Sequence, residues 1–137
     1  MKRVKKNEIV TDYYTYVTAS DDSLKKIIER IHERGLRVML KPQIDLTEDP
    51  KFWRGQIGVN FTSSEWDEWF GSYEKMILHY AHLAEQTHVE MLSVSCELVV
   101  ASKQADHWRK VVKTIREKYH GLLTDSANWG WLIFASF

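Results

Sequence analysis

The chain has 137 residues, 44% apolar and 28% charged, which allows one folded domain with a modest core and excludes a disordered tail. Lys plus Arg equals Asp plus Glu at 19 each, so no global charge draws the chain to nucleic acid or to an anionic membrane. Cys96 is the only cysteine, which excludes an internal disulfide framework and a cysteine-based metal site; no apolar run reaches the roughly 18 residues of a membrane-spanning helix.

The basic opening "MKRVKK" reads as a short solvated tail. No apolar signal segment follows it, which implies a cytoplasmic location if residue 1 is the true start. Residues 13–19, "YYTYVTA", are β-prone and read as a first strand. "SDDSLKKIIERIHERG" predicts a helix. Ser20 or Asp21 caps it, Leu24, Ile27, Ile28 and Ile31 recur at i, i+3, i+4 and i+7, and Gly35 supplies a left-handed stop. "LRVML" at 36–40 is a short strand ended by Pro42. Residues 43–62 then form a long connection with Trp53, Arg54 and Gly55 near its middle, and connections of that length are usually functional or disordered.

A second helix is predicted from Ser63 or Ser64 to about Gln86, with Trp66, Trp69, Phe70, Tyr73, Met76, Ile77, Tyr80, Ala81 and Ala84 in one broad apolar stripe. "VEMLSVSCE" at 89–97 is the next strand. "SKQADHWRKVVKTIREKYHG" gives a third helix, with Trp108, Val111, Val112, Ile115 and Tyr119 on one face and Gly121 as its stop. "LLTDSANW" at 122–129 is a fourth strand running into a loop.

Strands that alternate with helices, and are apolar on both sides, specify an α/β fold with a helix-covered parallel sheet. Two architectures fit: a doubly wound sheet, or part of a (β/α)8 barrel. No GxGxxG or GxxxxGK[ST] follows a strand, which counts against nucleotide-binding versions of the first. In a barrel, functional groups gather where strands end, and there stand Lys41 and Asp45, then Glu97, then Asn128 and Trp129. That coincidence favours a partial (β/α)8 TIM barrel of parallel strands and helices, about half of one.

Glu97 is the most informative of these. A carboxylate at the end of a buried strand loses part of its hydration, so the position is either costly or useful. The ordinary alternative is a Glu that turns to solvent or pairs with Arg or Lys. His79, His82 and His88 fall at i, i+3 and i+9 with no carboxylate in matching register, and read as surface residues. No metal or cofactor is expected. Six Trp and six Tyr suit sugar rings and cores equally.

At these strand ends the sequence resembles glycoside hydrolase family 113, retaining β-1,4-mannanases with a (β/α)8 barrel. The stretches that carry the resemblance are "GLRVMLKPQID", "FWRGQI", "WDEWFGSYEKMILHYAHLAE", "VSCEL", "HWRKVVKTIREKYHG" and "SANW", in the family's order and with similar spacing. No single one is decisive; the ordered set is specific and covers about residues 12–130. The resemblance implies that Glu97, at the end of barrel strand four, is the catalytic general acid/base. It implies substrate-binding positions at Lys41, in the family's "KP", at Trp53 and Arg54, in the loop bordering the cleft, and at Asn128 and Trp129. Gln43 stands where a His is common, which removes any His-specific role. Cys96 departs from the small or hydroxyl residue usual beside the acid, and reads as buried packing.

The function implied is a hydrolase of endo-β-1,4-mannanase type, with β-mannan or mannooligosaccharides as the saccharide partner. Retaining hydrolysis needs a second carboxylate as nucleophile, which the resemblance puts on a late strand beyond residue 137. The local carboxylates Asp45, Glu48, Asp49 and Asp125 stand at no position the family uses for attack. Residues 1–137 are therefore expected to form a single incomplete barrel segment, inactive by itself, with 131–137 as a divergent tail. A non-catalytic glycan-binding or interaction module derived from such a barrel is the alternative. Open sheet edges in such a segment are expected to promote self-association.

Overall fold

In the computed structural model, which describes residues 4–5, 8–9, 18–46 and 53–128, the first helix is α1, Asp21–His32. Its start is written into the side chains: Ser20 Oγ accepts from the Ser23 N–H at 3.2 Å, and Asp21 and Asp22 occupy the positive end of the helix dipole. Gly35, at φ +69°, takes the left-handed turn after the helix. Of the apolar stripe, Ile28 is buried and Leu24 and Ile31 are half-buried, but Ile27 is 49% exposed, so the core-facing stripe is narrower than its spacing suggests.

The N-terminal residues read as a tail contain a short antiparallel ladder, β1 (Val4–Lys5) with β2 (Glu8–Ile9). Most of the strand expected at 13–19 lies outside the described residues, and Thr18 and Ala19 are not in a strand. The next strand, β3, is only Met39–Leu40. It starts later than expected because the Val38 N–H is taken by a side chain, donating to Glu90 Oε2 at 2.7 Å.

Helix α2, Ser63–Gln86, follows a reciprocal cap in which the Glu65 N–H donates to Thr62 Oγ1 and the Thr62 N–H donates to Glu65 Oε2. Strand β4 is Met91–Cys96. A 3₁₀ turn, Ala101–Lys103, leads into α3, Ala105–Arg116, and β5 is Leu122–Ser126. The third helix thus stops before the expected Gly121. Tyr119 is buried beyond its end, where its hydroxyl donates to the Val89 carbonyl at 2.8 Å and pins the helix-to-strand connection beneath β4.

The three strands pair in parallel in the order β3-β4-β5, one βα repeat after another. Leu40, Leu92 and Leu123 turn to the helices, where they join one core with Ile28 of α1, Trp69, Tyr73 and Ile77 of α2, and Val111 and Ile115 of α3. Aromatic rings knit α2 to α3: Phe70 and Tyr73 each meet Trp108 edge-on, with centroids 5.1 and 5.4 Å apart. The Tyr73 hydroxyl donates to the Val94 carbonyl at 2.7 Å, and burial pushes its pKa up, so it stays a neutral donor. No helix among the described residues is long and apolar enough to cross a membrane.

Two carboxylates brace the end of the sheet where the strands begin. Glu90 accepts from the Val38 N–H and lies 3.2 Å from His32 Nε2, while Glu85 accepts from the His120 N–H and pairs with its ring. The backbone hydrogen bonds, outweighing partial desolvation and aided by the histidines, hold both carboxyls below their ordinary range. Groups depressed on folding stabilise above their unfolded pKa, and that contribution is lost as pH falls through the folded value. Thermal melts by circular dichroism should therefore show a Tm that drops as pH falls below about 4.5, with a shallower drop in the Glu85→Gln, Glu90→Gln double variant. Equal slopes in the two proteins would remove these groups from the account.

Candidate active site

Strand β4 does not run straight to its end. Ser93 pairs with Thr124 but Cys96 pairs with Ser126, so β4 carries one residue more than β5 between those points, a bulge. Serines hold it. Ser93 Oγ donates to the Ser95 carbonyl at 2.7 Å and lies 2.8 Å from Ser126 Oγ, and Ser95 Oγ donates to Asp125 Oδ1. Bulges redirect the side chains that follow them, and the residue that follows here is Glu97. Its N–H donates to the Ser126 carbonyl at 2.9 Å, and its φ is +55°, in the left-handed region that side-chain-bearing residues rarely adopt.

The Glu97 carboxylate has a fixed partner. Arg54 Nη1 donates to Glu97 Oε2 at 2.7 Å, Nη2 donates to Asp45 Oδ2 at 2.7 Å, and Nε donates to the Ile44 carbonyl at 3.0 Å. The Gln43 amide lies against the same guanidinium and, with its oxygen turned to Arg54, accepts from Nη1 at 2.8 Å. Arg54 is 15% exposed at the side chain and Glu97 39%, so the pair sits at a rim, dry on one side and wet on the other. Burial alone lowers the Arg54 pKa; the hydrogen bond and charge of Asp45, with Cys96 and Glu97, outweigh it and raise the pKa above its ordinary value. Arg54 is thus a permanent cation.

Local structure presents that arginine. Arg54–Gln56 form a 3₁₀ turn, and the Val100 N–H donates to the Gly55 carbonyl at 3.0 Å, stitching the turn to the chain just past Glu97. A β-carbon on Gly55 would overlap the Trp53 indole, so only glycine lets the ring lie there.

The residues expected at the site are brought together unevenly. Glu97 and Arg54 are in contact. Asn128 lines the same hollow as Glu97, with Ser95, Ser102 and Asp125. Lys41 is exposed and borders a different cleft, between the end of β3, the start of α1 and Tyr80. Trp53 is 41% exposed and packs over its own turn. Trp129, Glu48, Asp49 and the tail 131–137 lie outside the described residues. Cys96 is buried, with its sulfur against the Gln43 amide.

Asp45 was expected at a strand end but given no role beside Glu97, and Ser95 and Asp125 were not expected to line the site. Asp45 had a signal, as a carboxylate just past a strand end. For Ser95 the signal was the Ser-x-Ser alternation inside an apolar strand, which puts hydroxyls on one face. Among the described residues no cluster of three His, Cys, Asp or Glu is arranged to hold a metal ion.

The model of Glycoside Hydrolase Family 113 matches residues 2–130. Among solved structures, the GH113 β-mannanase AaManA from Alicyclobacillus acidocaldarius in complex with ManMIm is 36% identical, with a TM-score of 0.78 over 92% of this chain and 41% of that one. Two further structures, titled GH113 β-1,4-mannanase and a complex of GH113 β-1,4-mannanase, are 35% identical, with TM-scores of 0.77 and 0.78 over 87% of this chain and 38% of theirs. No curated protein matches. The chain thus spans about two fifths of the solved chains, and its parallel sheet and helices are a segment of a (β/α)8 barrel.

The left-handed backbone at Glu97 can be tested apart from any chemistry. Both Glu97→Ala and Glu97→Gly remove the carboxylate, but only glycine is free of the Cβ clash at this φ. Urea unfolding should find Glu97→Gly more stable than Glu97→Ala by about 1 kcal/mol. At an ordinary φ the order would reverse.

Proposed function

This chain belongs to glycoside hydrolase family 113, and we propose that it carries the acid/base side of a retaining β-1,4-mannanase-type site, with Glu97 as the proton donor. The observation that carries this reading is Glu97 at the rim of the parallel sheet, aimed by a bulge and gripped by Arg54.

The chemistry asks for such a group. Protonating the glycosidic oxygen requires a carboxyl that water does not fully surround, placed within hydrogen-bond reach of the leaving oxygen. Arg54 takes one oxygen of Glu97, Oε2, which leaves Oε1 to carry the proton toward the substrate. In its basic role during the second half-reaction the same carboxylate takes a proton from water. Asn128 and the Ser102 hydroxyl, in the same hollow, suit sugar hydroxyls; Lys41, Trp53 and Trp129 are proposed substrate contacts on the resemblance alone.

Retention also needs an attacking carboxylate roughly 5 Å from the acid. Asp45 is a poor substitute, because the Arg54 guanidinium occupies the space between it and Glu97. Asp125 lines the hollow but is engaged by the Ser95 hydroxyl. Residues 1–137 are accordingly proposed as one incomplete barrel segment, with 131–137 a divergent tail, that binds β-mannan-like saccharides without turning them over. That lack of a free opposed carboxylate among the described residues is also what favours the second reading, a non-catalytic glycan-binding module.

Joining this segment to the remaining part of the Alicyclobacillus β-mannanase separates the two. An acid/base role predicts mannooligosaccharide hydrolysis by the chimera and a loss of about 10²–10⁴-fold in kcat for Glu97→Gln, measured by reducing-sugar release. Unchanged turnover in Glu97→Gln ends the assignment. A chimera that binds mannohexaose but never cleaves it favours the binding module.

A further inference from the structure

A guanidinium carries five N–H donors in one plane, and each of those on Arg54 has an acceptor. Nε donates to the Ile44 carbonyl at 3.0 Å, Nη2 to Asp45 Oδ2 at 2.7 Å and Nη1 to Glu97 Oε2 at 2.7 Å. The two remaining N–H groups, one on each Nη, converge on the Gln43 oxygen when that amide is turned to face them, with Nη1 at 2.8 Å. Three of the four acceptor residues are therefore consecutive: Gln43, Ile44 and Asp45. Asp45 is itself held, since its Oδ1 accepts from the Leu46 N–H at 3.1 Å.

An arginine that faces a carboxylate frequently makes a two-armed pair, one N–H to each oxygen. Arg54 holds Glu97 through Oε2 alone. The two N–H groups that could grip both oxygens end-on are the ones that meet on Gln43. We propose that Gln43 is a positioning residue: by filling the Arg54 fork it keeps the contact with Glu97 one-armed, and Oε1 stays free to reach a substrate. Asp45 and the Ile44 carbonyl occupy the other side of the guanidinium, so no second N–H can turn to Glu97 from there. A neutral amide suits the place, because a carboxylate would set a third negative charge around one cation. The inference rests on the reading of Glu97 as proton donor, and it gives a role to a residue for which the sequence offered none. Gln43 is exposed, so its replacement opens no cavity in the core and the fold should survive it.

Two readouts test it. In the 137-residue chain, NMR couplings across hydrogen bonds should join Arg54 Nη1 and Nη2 to the Gln43 side-chain carbonyl carbon, and Nη1 alone to the Glu97 carboxyl carbon. In Gln43→Leu, Nη2 should gain a coupling to the Glu97 carboxyl carbon as the pair becomes two-armed. In the chimera with the Alicyclobacillus β-mannanase segment, Gln43→Leu should lower kcat about 10-fold and leave KM within about twofold. With Glu97→Gln already in place, Gln43→Leu should cost nothing further in kcat, which a merely structural role would not give. No coupling between Arg54 and the Gln43 carbonyl in the unaltered chain overturns the proposal, whether or not any variant folds. So does a Gln43→Leu chimera with unchanged kcat, or one whose loss is the same with and without the Glu97 carboxylate. Full turnover by Glu97→Gln is a separate result: it ends the proton-donor reading and the catalytic half of this inference, while the couplings still decide the geometric half.

Discussion

One guanidinium holds the rim of this molecule together. The sheet aligns β3 and β4 only at Met39 with Met91 and Leu40 with Leu92, where β3 ends and well short of the end of β4. Above that, the chain after Leu40 and the chain after Cys96 have no ladder to keep them in register. Arg54 supplies it, binding the Ile44 carbonyl, Asp45 and Glu97 with three different nitrogens. A planar fork spans these three separated acceptors from three nitrogens, whereas a lysine ammonium offers all its donors from one nitrogen and cannot reach all three in this geometry. The arginine is itself tethered from behind, through Gly55 to Val100. The 3₁₀ turn that carries Arg54 and the residue Glu97 are therefore a single mechanical unit.

The second constraint is backbone rather than charge. The inserted residue in β4 breaks the alternation that would otherwise decide which way Glu97 points, and the left-handed φ turns it again. Each departure costs free energy that a plain strand end would not, on the order of 1–2 kcal/mol for the left-handed residue. The surroundings over-determine it. Ser126 accepts the Glu97 N–H through its carbonyl and meets Ser93 through its hydroxyl, so one residue of β5 fixes both the bulge and its consequence. Strain maintained this way is usual where a side chain must be aimed.

Helices and strands were legible because their signals are local. The α2 stripe, the Ser20 and Thr62 caps and the parallel βα order follow from period, capping chemistry and apolar runs. Glu97 was legible too, as a carboxylate where burial ends. The misses are non-local. Nothing near Val38 says that Glu90, far along the chain, will take its N–H and shorten β3. Nothing near Gly121 says that Tyr119 will reach Val89 and end α3 early. Trp53 and Arg54 were read together as groups bordering a cleft, but only distances separate them: the arginine points inward to two carboxylates, while the indole lies on its own turn. The bulge depends on a register between strands, which no single strand encodes.

The inner face of the sheet carries the same lesson at a larger scale. Its lower row, Met39, Met91 and Leu122, is apolar, while Ser93, Thr124, Ser126 and the Glu97 rim above it are polar. A surface that served only water would not place methionine and leucine beneath serine and threonine in register. A surface closed by other strands would, because apolar rows fill a barrel's interior while polar groups collect at its mouth. On the proposed reading, acid chemistry has the same requirement, since the attacking carboxylate must face Glu97 across a sugar from an opposed strand. Three neighbouring strands can aim one carboxyl but cannot also stand opposite themselves. Closure of the face and completion of the site are thus one geometric demand.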